Sequence, residues 1–107
     1  VLPATGSREG LSYWLETAGV TLLATGDAAA GLRALVAADR IRADLGLVLW
    51  PLMQAPHDGW LTVATAEAGE AATAVIDEAR RADPWHLMED LLAGREGPPT
   101  TGPAALA

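Results

Sequence analysis

Leu45-Gly46-Leu47-Val48-Leu49-Trp50-Pro51 is the stretch that decides how this chain of 107 residues is read. Leu45 to Trp50 is a continuous apolar run of strand length, which suits a strand covered on both faces, as in a parallel sheet. Pro51 ends it. Immediately upstream, Asp27 is placed to N-cap a helix that carries Leu32, Leu35 and Val36 on one face and Arg33, Arg40 and Arg42 elsewhere. That helix is preceded by a second apolar run, Val20 to Thr25, closed by Gly26. Further out, Ser7 is a candidate N-cap for a helix with Leu11, Trp14, Leu15 and Ala18 at helical spacing, and Gly19 is its expected stop. Val1 to Ala4 supplies a short first strand.

Downstream, a loop through Pro56-His57-Asp58-Gly59 leads to a fourth candidate strand, Leu61 to Ala66. The clearest helix follows, with Ala68, Ala71, Ala72, Val75, Ile76 and Ala79 on one face and charged residues on the other. Asp83-Pro84 starts a last helix whose apolar stripe is Trp85, Met88, Leu91 and Leu92. From Gly94 the composition shifts to Gly, Pro and Thr, so residues 1–94 are expected to form one domain and 95–107 a Gly/Pro-rich tail. The alternation of strands and helices predicts an α/β fold, a small three-layer sheet flanked by helices of flavodoxin-like type. Pro51 to Trp60 is short for a parallel crossover, which takes about a dozen residues, so an α+β ferredoxin-like sandwich is the alternative. Trp14, Trp50, Trp60 and Trp85 are expected in the core, with an interface as the other place for Trp60.

The net charge of −7 argues against a nucleic-acid backbone as partner. The chain has no cysteine, which excludes disulfides, thiolate metal sites and a thiol nucleophile. His86 and Glu89 share a helical spacing, but two ligands fall short of a metal site, and no metal or cofactor is expected. The longest uncharged apolar stretch, Leu45 to Ala55, is too short to span a bilayer, and no signal peptide is visible, so a cytoplasmic location is expected. A core this small would gain from burying more surface, which leaves a homo-oligomer open.

Two turns, Ala24-Thr25-Gly26-Asp27-Ala28 and Ala64-Thr65-Ala66-Glu67-Ala68, each close an expected strand and open a helix. A helix N-terminus of this kind gathers free N–H groups and suits an anion such as phosphate; the plainer reading is ordinary turn chemistry. These pieces, in order, resemble the methylglyoxal synthase family. Leu22-Leu23-Ala24-Thr25-Gly26 is similar to the start of its ATGTTG phosphate loop. Trp50-Pro51-Leu52 followed by Pro56-His57-Asp58 is similar to its tryptophan-to-PHD stretch, and Val63-Ala64-Thr65 to its PVAT strand end. The resemblance spans roughly residues 1–80. It implies a shortened domain that binds a small phosphorylated metabolite and, if active, a carbon–oxygen lyase that eliminates phosphate from dihydroxyacetone phosphate.

Carried onto this chain, the family pattern makes His57 and Asp58 the catalytic candidates, and Ser7, Arg8, Thr25, Gly26 and Thr65 the phosphate-binding ones. The chain departs from that pattern at several points. The GGD stretch with the family's catalytic aspartate is missing, the threonines after ATG are replaced by Asp27 and Ala28, and His57 alone survives of the principal chemical groups. The alternative function is therefore a non-catalytic module, either receiver-like or an acidic, immunity-type protein-interaction domain with a basic partner.

Overall fold

Gly46 changes the reading of the Leu45–Trp50 stretch. In the computed structural model, which describes residues 4–96, Leu45 is the last residue of a helix and Gly46 its C-cap, left-handed at φ 71°. The Gly46 N–H bonds to the carbonyl of Ala43 and the Leu47 N–H to that of Arg42, which closes the helix end. Leu47 to Trp50 is a linker, and Pro51 begins the next helix instead of ending a strand. Proline suits that first position because its missing N–H would have no partner there.

The described residues form five α-helices: α1 Ala4–Ala24, α2 Ala28–Leu45, α3 Pro51–Ala68, α4 Ala72–Arg81 and α5 Pro84–Glu96, with a 3₁₀ turn Gly69–Ala71 between α3 and α4. There is no strand among them, so both the α/β sheet and the ferredoxin-like alternative are corrected to an all-helical bundle. The expected strand Val20–Thr25 is the last turn of α1, to Ala24, and the first residue of the turn after it, and Leu61–Ala66 lies inside α3. The first expected strand falls on Val1–Ala4, of which residues 1–3 lie outside the described ones; of the expected tail 95–107, residues 95 and 96 end α5 and the rest lies outside the described residues. Asp27 caps α2 as expected, its Oδ1 accepting from the Ala30 N–H at 3.2 Å. The last helix starts at Pro84, with Asp83 Oδ1 accepting from the Trp85 N–H.

α2 is the centre of the bundle. Leu32, Leu35 and Val36 pack with Leu23 of α1, Ala64 of α3 and Ala72, Val75 and Ala79 of α4. Ala34, Ala37, Ala38 and Ile41 pack on the other side with Leu11 and Leu15 of α1 and Leu87 and Leu91 of α5. A helix apolar on two opposed faces has to be the buried one. Each fully buried leucine here contributes about 2 kcal/mol of burial free energy.

α1 and α2 form a hairpin through Thr25, Gly26 and Asp27, and they cross in near backbone contact. A Cβ at Gly31 would lie 2.9 Å from the Gly19 carbonyl oxygen, and one at Gly19 would lie 2.8 Å from Cγ of Leu35. Gly19, expected as a helix stop, is therefore an interior position that lets two helices approach closely. The tryptophans divide: Trp14 and Trp85 pack against the core, whereas Trp50 and Trp60 are exposed, which corrects their core placement. No helix among the described residues is long and apolar enough to cross a membrane.

Candidate functional site

α3 is attached to the bundle in an unusual way. Of its eighteen residues, only His57 and Ala64 are buried. His57 is 2% exposed, and its ring is held by two carboxylates from two other helices. Nδ1 lies 2.6 Å from Glu16 Oε2 on α1, and Nε2 lies 2.9 Å from Asp39 Oδ2 on α2. The second oxygen of each carboxylate accepts from the same nitrogen, Nη2 of Arg42, at 3.0 Å for Glu16 Oε1 and 2.9 Å for Asp39 Oδ1. The result is a closed ring of alternating charge: Glu16, His57, Asp39, Arg42.

A histidine with a carboxylate oxygen on each nitrogen satisfies both contacts only when both nitrogens carry protons. Burial by itself would push the His57 pKa down. The hydrogen bonds to Asp39 and Glu16, together with their negative charges, outweigh it and raise the pKa to about 9. Burial likewise works to raise the Asp39 carboxyl, but hydrogen bonds from His57 and Arg42 hold it below its ordinary value. With His57 protonated the ring is neutral as a unit, which is what lets four ionic groups share a largely buried junction. Nη1 of Arg42 is also buried and has no hydrogen-bond partner among the described residues.

The sequence-derived candidates do not assemble into an anion cradle. Arg8 pairs with Asp44 at 3.4 Å near the C-terminal end of α2. Thr25 and Gly26 sit at the opposite end of that helix, which at eighteen residues is about 27 Å long. Thr25 Oγ1 donates to the Leu22 carbonyl, and Gly26 is the left-handed residue of the hairpin turn. Thr65 lies within α3, donating to the Leu61 carbonyl, so the helix N-terminus expected beside it does not exist. Ser7 lies in α1, and its side chain is outside those described. Asp58 is exposed and accepts from Gln54 Nε2 at 2.9 Å, apart from the His57 ring.

His57 is thus the one predicted residue found in a cluster, with partners that the sequence reading missed. One signal for them exists. Arg42 continues the buried Leu35–Ala38 stripe of α2 by four residues, and a charge on such a stripe needs a buried counter-charge. Among the described residues, no group of three or more His, Cys, Asp or Glu is placed to hold a metal ion.

α3 is docked through His57 and Ala64, with Leu61 and Ala68 packed half-buried beside them, and most of its other apolar side chains face outward. Leu52 is 85% exposed, and Met53, Trp60 and Val63 are also exposed. The linker adds Val48 at 83% and Trp50 at 69%. Met53 joins Trp50, Leu52 and Trp60 into one surface. It lines a hollow with Tyr13, Leu49 and Trp50, and also a groove of 310 Å³ between α1 and α3 with Val20, Leu52, Pro56 and Trp60. Glu16 and His57 form the floor of that groove.

Fold and site together define a small all-helical domain in which a buried ionic ring mounts an apolar helix face toward solvent. Comparison with known proteins adds no relative: no family model matches the chain, and neither curated proteins nor solved structures give a match.

Proposed function

We propose that this domain is a non-catalytic protein-interaction module whose α3 face binds a basic segment with an apolar side, such as an amphipathic helix. The observation that carries the reading is the outward apolar surface of α3 and its linker, Val48, Trp50, Leu52, Met53 and Trp60. Soluble domains rarely present contiguous apolar surface above a few hundred Å² unless something binds there. Charge selects the occupant. α3 carries Asp58 and Glu67 and no lysine or arginine, its His57 charge being balanced within the buried ring, in a chain of net charge −7. A second copy would bring like charges together, whereas a basic partner gains from the field. A helix laid into the α1–α3 groove would place apolar anchors against Leu52, Met53 and Trp60 and its basic flanks over the acidic surround. A cytoplasmic setting, in which a cysteine-free chain has no need of disulfides, belongs to the same reading.

The test is binding of a designed leucine–lysine amphipathic peptide and its leucine–glutamate counterpart, followed by tryptophan fluorescence and calorimetry. The lysine peptide should bind saturably, more weakly as salt is raised, and Leu52→Ser with Trp60→Ser should abolish binding. Equal binding of both peptides, or concentration-dependent self-association with no peptide binding, would overturn the proposal.

A further inference from the structure

A second surface feature lies on the other side of the ionic ring. Between α2, α3 and α4 there is an open cleft of 540 Å³, a volume in the range of small-molecule sites. Its apolar walls are Val36, Leu61 and Ile76, over the fully buried Leu32, and the charged residues along it are Arg40, Arg80 and Asp39. Asp39 is not free to repel a ligand, because each of its oxygens already accepts from the ring, one from His57 and one from Arg42. Arg40 spends one nitrogen on the Ala82 carbonyl, a contact that ties α2 to the end of α4, and its Nε lies 3.9 Å from Asp44. Arg80 makes no ion pair among the described residues. A chain of net charge −7 therefore has a locally cationic rim beside an apolar trough.

We infer that this cleft binds an amphipathic carboxylate, its hydrocarbon or aromatic body lying along Val36, Leu61 and Ile76 and its carboxylate held by the guanidinium groups of Arg80 and Arg40. A planar guanidinium matches a carboxylate with two parallel hydrogen bonds, which suits a single anionic head better than a bare apolar ligand. The body is required as well, since an exposed arginine pair alone gives little affinity in water. This site is separate from the α3 docking face and does not depend on it. The two share only the ring, whose Glu16 and His57 meet the groove while Asp39 meets the cleft.

The test is a methyl NMR titration of the whole chain with decanoate, held below its micelle concentration, with decanol and acetate as comparisons. Decanoate should give saturable shifts at the methyls of Val36, Leu61 and Ile76, with acetate producing none and decanol binding at least several-fold more weakly. Arg80→Gln changes an exposed side chain, so the fold is retained, and it should weaken decanoate about tenfold, roughly the worth of one charge-assisted hydrogen bond. Equal affinity for decanol and decanoate, no loss in Arg80→Gln, absence of saturable shifts, or shifts centred on Leu52 and Met53 would each overturn the assignment.

Discussion

Glu16 Oε2 and His57 Nδ1 lie 2.6 Å apart, joining the middle of α1 to a helix that otherwise buries almost nothing. The bond belongs to a ring in which no carboxylate oxygen is left without a donor. Removing any one member leaves a buried charge uncompensated, and that asymmetry gives the first prediction.

His57→Leu should destabilise the domain by about 3 kcal/mol, the usual cost of breaking a buried ionic contact. His86→Ala, an exposed histidine on α5, should change stability by less than about 0.5 kcal/mol. Urea unfolding of the three proteins at pH 6 separates the two effects.

Stability should depend on pH in a defined direction. The folded pKa of His57 is raised to about 9 from an ordinary 6.5, so its contribution is complete below pH 6.5 and disappears as the pH rises through 9. Asp39 is depressed, so its contribution is present above its ordinary value of 3.8 and is lost as the pH falls through the folded value. The stability maximum should therefore lie between about pH 4 and 6.5, and the alkaline decline should be absent in His57→Leu. Unfolding midpoints measured from below pH 3.8 to above pH 9 check both limbs.

Gly31→Ala should cost about 1–3 kcal/mol, because its Cβ would meet backbone atoms, the Gly19 oxygen at 2.9 Å and the Leu23 nitrogen at 3.1 Å. Gly10→Ala, with nothing near its Cβ and a helical backbone, should be neutral or slightly stabilising. Thermal unfolding of the pair distinguishes a packed crossing from ordinary helix propensity.

The docking face should be separable from the fold. Trp50→Ser and Leu52→Ser alter side chains that are mostly exposed, and should leave stability within about 0.5 kcal/mol while weakening a basic amphipathic peptide by tenfold or more. Parallel denaturation and calorimetry of the variants measure the two quantities independently.

Part of this architecture is legible in the residues. Asp27 and Asp83-Pro84 announce helix starts correctly, and the Ala72, Val75, Ala79 face of α4 follows from its spacing. The apolar runs at residues 20–25, 45–50 and 61–66 mislead for one reason. A short apolar run bounded by glycine or proline fits a buried strand or a segment of buried helix equally, and periodicity cannot separate them over six residues. The glycines within and beside these runs have other jobs: Gly19 permits a helix crossing, and Gly46 caps α2. Pro51 and Pro56 make α3 look like a loop, although the first sits at the helix start and the second on an exposed turn. The two expected strand-to-helix turns behind the methylglyoxal synthase resemblance are a helix hairpin at Thr25-Gly26 and the interior of α3 at Thr65. The ring is hidden from sequence because Glu16, Asp39 and His57 are brought together only by packing of three helices.

The measurement that reaches the centre of this account is an NMR titration of the His57 imidazole with ¹⁵N-labelled histidine, His86 serving as the internal comparison. Both His57 nitrogens should remain protonated through neutral pH and titrate near pH 9. A neutral His57 at pH 7.5, titrating at or below its ordinary 6.5, would contradict the ionic ring and the mounting of α3 that rests on it.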